Sequence, residues 1–260
     1  MAGKQRPSSR KTQNTLAGSG VPWITVVAVA AVVVFAGGIF GYVFVLYSDK
    51  TERAAAVAPW TPSETNRDPS RAIPGVVVKN YEAGQHVQGA QRVAYEARPG
   101  FGGPHDGVWA ACNGQVYETA VRTENLVHSL EHGAVWIAYN PDRLDDAGVA
   151  VLRKRVDGQQ YMTMSPYPGL DGAISLQSWG HQLKLNDPND PRIDQFIRAL
   201  RTNQYTYPEV GASCEALGPG TFDPAAPPPF NPSPPGPGAV PASAANAGGG
   251  DAPSSDRQGA

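Results

Sequence analysis

A run of apolar residues near the N-terminus restricts most strongly how this 260-residue chain can fold. Residues 23–47 contain no Asp, Glu, Lys, Arg or His. A helix of about 20 apolar residues is long enough to cross the core of a bilayer. Trp23, Tyr42 and Tyr47 lie near the ends of the run, where membrane helices commonly carry aromatic side chains. We therefore predict one transmembrane helix over residues 21–48.

The charges that precede this helix predict its orientation. Residues 1–20 carry four basic side chains and no acidic one, namely Lys4, Arg6, Arg10 and Lys11. Because positive flanks stay in the cytoplasm, we expect residues 1–20 to be a basic cytoplasmic tail. The chain after Asp49 is then expected outside the cell membrane. The predicted localisation is a single-pass protein of the cell membrane whose C-terminal domain lies outside.

Composition divides the outer part of the chain into three regions. Residues 49–72 are polar with interspersed Ala and Pro, and we predict a stalk. Residues 73–217 have the size and composition of one folded domain. Residues 218–260 are dominated by Pro, Gly, Ala and Ser, a composition that buries too little surface to fold. We predict a disordered tail there, either a spacer or a ligand for a proline-binding partner.

Local patterns within the predicted domain indicate an α+β fold. β-Branched and aromatic segments predict short strands, and apolar residues at helical spacing predict helices. The two kinds of element do not alternate regularly, so we expect a mixed sheet with about three helices. The predicted strands cover residues 76–78, 91–96, 134–139, 161–164 and 173–176, and the predicted helices cover residues 124–132, 143–156 and 191–201.

The predicted helix over residues 124–132 carries most of the functional signal. Its helical wheel places Glu124, His128, Glu131 and His132 on one face. Two imidazoles one turn apart can bind a common metal ion. The spacing His-x-x-Glu-His also matches an inverted zinc-protease signature, in which Glu131 would be the general base. An amphipathic surface helix beginning after Thr123 would show the same pattern without any ligand.

Two further histidines and two methionines are candidate ligands. His105 lies in a glycine-rich turn, and loops on a rigid scaffold commonly carry ligands, although an exposed turn residue is the alternative. His86 lies upstream of it. Met162 and Met164 would share one side of a strand, where thioethers suit copper. Methionine is more often a core residue, and we give the copper interpretation little weight.

The chain has two cysteines, Cys112 and Cys214, both on the predicted outer side, where disulfides persist. We favour a structural disulfide over the alternative of two thiols in a metal or redox site. The net charge of −2 and the dispersed basic residues give no indication of nucleic-acid binding.

Several motifs occur in a fixed order between residues 86 and 214. They include Gly-Gly-Pro-His ending at His105, Glu-Asn-x-Val-His-Ser-Leu-Glu-His-Gly from Glu124, and Ser-Pro-Tyr-Pro-Gly from Ser165. Together they resemble domain-of-unknown-function family 3105, typical of actinobacterial single-pass membrane proteins. The resemblance implies no established activity. The positions that match the family pattern are His86, His105, Cys112, Glu124, His128, Glu131, His132 and Cys214.

Three functions are consistent with these features. The first is a non-catalytic outer domain that binds copper or zinc through His105, His128 and His132, with His86 or Glu124 completing the site. The second is an envelope scaffold or assembly factor that binds a membrane-complex protein and no metal. The third is a zinc hydrolase with Glu131 as base and Glu209 or Glu215 as a further ligand. We favour the first, and a non-enzymatic role.

Overall fold

The computed structural model describes residues 22–218 and 220–242. The predicted cytoplasmic tail, residues 1–20, and the last part of the predicted C-terminal tail, residues 243–260, lie outside the described residues. The chain forms two compact units, residues 1–54 and residues 55–260. Helix α1, Trp23–Val57, contains nearly all of the described residues of the first unit. This helix is long and apolar enough to cross a membrane.

The second unit has the predicted α+β fold, built on one mixed sheet of six strands. The strands lie in the order β1 (Val77–Val78), β9 (His181–Leu185), β8 (Ile174–Ser178), β6 (Val135–Tyr139), β7 (Met162–Pro166) and β5 (Asn113–Val116). The first four of these are antiparallel neighbours, whereas β6, β7 and β5 pair in parallel. Two smaller parallel pairs join β2 (His86–Val87) to β4 (His105–Asp106) and β10 (Val240–Pro241) to β3 (Val93–Ala94).

Helices cover both faces of the six-stranded sheet. Successive side chains of β6 alternate between two hydrophobic cores, as the pleat of a strand requires. Val135 and Ile137 pack in the core that includes α3 (Asp146–Val156) and α4 (Arg192–Leu200). Trp136 and Ala138 pack in the opposite core with α2 (Thr123–Glu131). The sheet therefore holds α2, the helix with the histidines, against a rigid support.

Residues of the predicted stalk belong to the folded domain. Trp60 packs against the core of α3 and α4, and Ser70 is completely buried. Asp68 Oδ2 lies 3.1 Å from His181 Nε2, which belongs to the sheet. Composition alone does not reveal these contacts, which combine apolar packing with specific hydrogen bonds.

The first part of the predicted disordered tail also packs on the domain. Phe222 is completely buried and lies edge-on to Tyr117, with ring centroids 6.1 Å apart. Val240 pairs with Val93 in a parallel bridge. Within residues 220–242, a few apolar side chains of a proline-rich stretch therefore pack on the domain, although the composition of this segment predicts disorder.

Candidate metal centre

Helix α2 is buried on its polar face as well as on its apolar face. Leu126 and Leu130 pack in the core beneath it. His128 and Glu131 on the other face are equally enclosed, which excludes the alternative of a surface helix. Buried polar side chains are costly unless they have partners, so the surroundings of this face determine its chemistry.

The ends of α2 are only partly as predicted. Arg122, and not Thr123, holds the N-cap position, and its side chain makes no capping hydrogen bond. Gly133 follows the helix with a φ of +90°. A Cβ atom at this position would lie 2.6 Å from the ring of Tyr207. Glycine is therefore required here both by the left-handed backbone and by the neighbouring ring.

Strands β2 and β4 bring two more histidines to α2. Their parallel register places His86 directly beside His105, with ring centroids 5.0 Å apart. Gly103, at a φ of +89°, presents its carbonyl to His105 Nδ1 at a distance of 2.8 Å. The ring of His105 lies 4.7 Å from that of His128, and His86 stacks on His128 at 5.1 Å. The glycine-rich turn therefore points its histidine into the domain and does not expose it.

Four of these side chains form what we call the four-ligand set: His86, His105, His128 and Glu131. Each offers one ligand atom, and the four atoms all lie within 4.8 Å of one another. The side chains of His105 and Glu131 are fully inaccessible to solvent, whereas His86 is exposed. The set has the size and the nitrogen and oxygen donors of a site that could hold a divalent metal ion.

His105 and Glu131 have an unusual contact at the centre of this set. His105 Nε2 and Glu131 Oε2 are 2.8 Å apart, but they are not aligned for a hydrogen bond. Within the described residues, both belong to the few buried side-chain polar atoms that have no hydrogen-bond partner. The other carboxylate oxygen of Glu131 accepts a hydrogen bond of 2.7 Å from the backbone nitrogen of Gly84. Two unsatisfied atoms that face each other in a buried site call for a further partner.

The imidazoles are oriented by backbone carbonyls. Nδ1 of His105, His128 and His132 lies 2.8, 2.6 and 2.6 Å from the carbonyl oxygens of Gly103, Asp106 and Ser213. A carbonyl can only accept, so each Nδ1 carries a proton, and in the neutral form of each ring the lone pair is on Nε2. Metal-binding histidines typically have this arrangement, in which a second partner fixes the tautomer.

A second group, which we call the three-ligand set, consists of His128, His132 and Glu209. His132 Nε2 lies 3.1 Å from Glu209 Oε2, and the three ligand atoms lie within 4.8 Å of one another. The imidazoles are buried, but 40% of the Glu209 side chain is exposed. The Trp109 ring lies 4.9 Å from that of His132. The two sets therefore share one residue, His128.

Other candidates from the sequence lie elsewhere. Glu124 accepts a hydrogen bond of 3.0 Å from the backbone nitrogen of Val93 and belongs to neither set. Glu215 accepts one of 2.7 Å from Asn113 Nδ2. Met162 and Met164 are completely buried in the core of α3 and α4, which is the core role preferred above.

The two cysteines form the predicted disulfide, Cys112–Cys214. It lies next to the three-ligand set, because Ser213, the residue before Cys214, supplies the carbonyl that orients His132. The carbonyl partners Gly103, Asp106 and Ser213 were not anticipated, and backbone groups leave no signal in a sequence pattern.

The surroundings favour the metal-binding protonation states. Burial, followed by the nearby His105, lowers the pKa of His128 to about 3, although the Asp106 carbonyl opposes this. Desolvation by the surrounding side chains also lowers the pKa values of His132, which is buried, and of His86, whose ring packs against His105 and His128 although the residue is exposed. Burial alone would raise the pKa of Glu131, but the contact with His105 and the Gly84 amide outweigh it and lower the pKa. The lowered pKa values favour neutral rings at His86, His128 and His132 and an ionised carboxylate at Glu131, and these are the forms that bind metals.

Comparison with known proteins gives a family and no activity. The family model described as "Protein of unknown function (DUF3105)" matches residues 86–216, which include both ligand sets and both cysteines. No curated protein and no solved structure matches the chain.

Proposed function

We propose a function for this chain, which belongs to the DUF3105 family of proteins of unknown function. The four-ligand set binds one divalent transition-metal ion in a non-catalytic role. The proposal rests chiefly on the unsatisfied contact between His105 Nε2 and Glu131 Oε2. A cation between these two atoms would bind a lone pair from each and remove the cost of leaving them buried without partners.

The donor set limits the choice of metal. Three imidazoles and one carboxylate contain no thiolate or thioether, which argues against a site specialised for cuprous copper. Imidazole-rich sites suit Zn²⁺ and Cu²⁺, and Zn²⁺ prefers four ligands in a tetrahedron. Copper and zinc are therefore the metals to test. This set differs from the ligands named from the sequence in two respects, since Glu131 takes the place of Glu124 and His132 is absent from it.

The geometry gives less support to a hydrolase. A general base must reach the water that it activates. The Glu131 side chain is fully buried and already holds the Gly84 amide, so it has no open side towards a substrate. Glu209 does lie beside His132, as a zinc hydrolase would need. We assign Glu131 to the metal rather than to a water molecule.

We also propose that the domain lies outside the cell membrane and that α1 anchors it. The apolar helix is long enough to span, and the Cys112–Cys214 disulfide is typical of an oxidising compartment. The basic residues 1–20 favour a cytoplasmic N-terminus. Protease treatment of intact spheroplasts should digest the domain. Protection of the domain until the membrane is permeabilised would contradict this orientation.

Metal binding is tested on the full chain purified in detergent, because residues on both sides of the predicted domain pack against it. Equilibrium dialysis against Zn²⁺ or Cu²⁺, followed by elemental analysis, should give one ion per chain. Glu131→Gln keeps an oxygen for the Gly84 amide but removes the charge. We expect it to weaken binding by more than about 100-fold, since even supporting groups around a metal are worth about 10–100-fold.

Two controls separate ligand loss from misfolding. Glu215→Gln changes another carboxylate that belongs to neither set and should bind like the parent. Thermal unfolding of the metal-free proteins shows whether Glu131→Gln is still folded. A folded parent that binds no ion would overturn the proposal and favour a scaffold that binds a protein partner. Equal affinities of the parent and Glu131→Gln would exclude this ligand set.

A further inference from the structure

We propose that the three-ligand set is the exchange site through which the ion of the four-ligand set enters and leaves. This inference rests on the proposed function, because it assumes that the four-ligand set binds an ion. It adds a route and a direction: the ion first binds His132 and Glu209, and then moves to His105 and Glu131, with His128 as a ligand throughout.

The first support is that His128 can bind only one ion at a time. Its Nδ1 lies 2.6 Å from the Asp106 carbonyl and carries the proton that this hydrogen bond needs. Only the Nε2 lone pair is left, so His128 cannot bridge two metal ions through both ring nitrogens. The two sets therefore compete for the same ligand, and one ion can pass between them without losing its bond to His128.

The second support is the number of ligands in each set. The four-ligand set supplies enough donors for a closed tetrahedral site. The three-ligand set leaves one position of a tetrahedron free for water or for the molecule that delivers the ion. A site with an open position exchanges its ion more readily than a closed one. The complete set is therefore suited to retain the ion and the incomplete set to receive it.

The third support is the exposure of the carboxylates. Glu131 is fully buried, whereas 40% of the Glu209 side chain is exposed. Glu209 nevertheless remains tied to α2, because its backbone nitrogen donates to the Glu131 carbonyl at 3.2 Å. An exposed carboxylate attracts a hydrated cation and His132 then replaces one of its waters. His86 is the other exposed ligand, and it offers a competing route that the experiment must exclude.

The test is the rate of metal exchange in the full chain. The protein is loaded with one equivalent of Zn²⁺, and its release to excess chromophoric chelator and its reloading are followed by stopped flow. Glu209→Ala should slow release and loading by the same factor, about tenfold or more, the usual cost of losing one supporting group at a metal. Equal slowing of both steps leaves the stoichiometry at one ion and Kd unchanged.

Glu215→Ala, a nearby exposed carboxylate outside both sets, is the matched control and should exchange at the parental rate. Unchanged rates in Glu209→Ala would overturn the exchange route alone, as would slower loading in His86→Ala but not in Glu209→Ala. Two ions per parent chain would overturn the exclusive sharing of His128. A parent that binds no Zn²⁺ would overturn the proposed function together with this inference.

Discussion

The Cys112–Cys214 disulfide should contribute several kcal/mol to the stability of the domain. Cys112 and Cys214 are 102 residues apart in the sequence and close a loop that contains α2 and most of the sheet. The chain-entropy relation gives a loss of about 16 cal/mol/K in the unfolded state for a loop of this length, or about 4.7 kcal/mol at 25 °C. The free energy of unfolding of natural domains is only about 5–15 kcal/mol, so removal of the disulfide would leave the domain marginally stable.

The perturbation is Cys112→Ala/Cys214→Ala in the full chain. Alanine is preferable to serine because both cysteines are buried, and a hydroxyl there would lack a partner. Urea unfolding, followed by tryptophan fluorescence, should show a free energy of unfolding lower by about 4–5 kcal/mol. Reductant should reduce the stability of the parent by a similar amount and leave the variant unaffected. A variant that loses less than about 1 kcal/mol would refute the entropic reasoning.

Two more predictions concern segments that the sequence assigned to a stalk and a tail. Burial alone would raise the pKa of Asp68, but hydrogen bonds from His181 and Ser70 lower it from 3.8 to about 2. Because the pKa of Asp68 is lower in the folded state than in the unfolded state, its ionised carboxylate stabilises the folded domain by about 2 kcal/mol above pH 3.8. This stabilisation disappears as the pH falls towards 2. Asp68→Asn should therefore be less stable than the parent at pH 6, with a difference that narrows between pH 4 and pH 2 in urea unfolding. A constant difference in stability between the parent and Asp68→Asn from pH 6 to pH 2 would contradict this. The control variant Asp171→Asn changes an exposed carboxylate and should have the same stability as the parent. Phe222→Ala should cost about 3 kcal/mol and expose residues 220–242 to limited proteolysis, because a buried aromatic side chain is lost. Unchanged protease protection would show that Phe222 does not dock the tail.

The fold class and the main helices follow from local patterns. The predicted helix over 124–132 corresponds to α2, Thr123–Glu131, and those over 143–156 and 191–201 contain α3 and α4. The strong apolar periodicity of these segments is a local property. Strands β2 and β4 were not predicted, since two residues paired across a long loop leave no periodic signal.

The histidines named from the sequence lie in the two ligand sets, whereas Glu124 belongs to neither set. A helical wheel places Glu124 and Glu131 on the same face as His128, and it cannot tell which carboxylate meets His105. The choice depends on tertiary contacts, because Glu124 binds the Val93 amide and Glu131 lies against β4. A related point applies to the C-terminal segment. Composition averages over residues 218–260, whereas docking depends on single side chains such as Phe222.

Under the proposed function, the parallel pairing of β2 with β4 would determine when the domain acquires its metal ion. It brings His86 to His105, while α2 and Glu209 come from later parts of the chain. Contacts between such distant segments form late, once the chain has collapsed around its sheet. Unlike a zinc finger, whose ion organises the chain, this domain must be assembled before its ligands meet. Maturation would therefore end with the ion, taken from the pool that surrounds the finished domain.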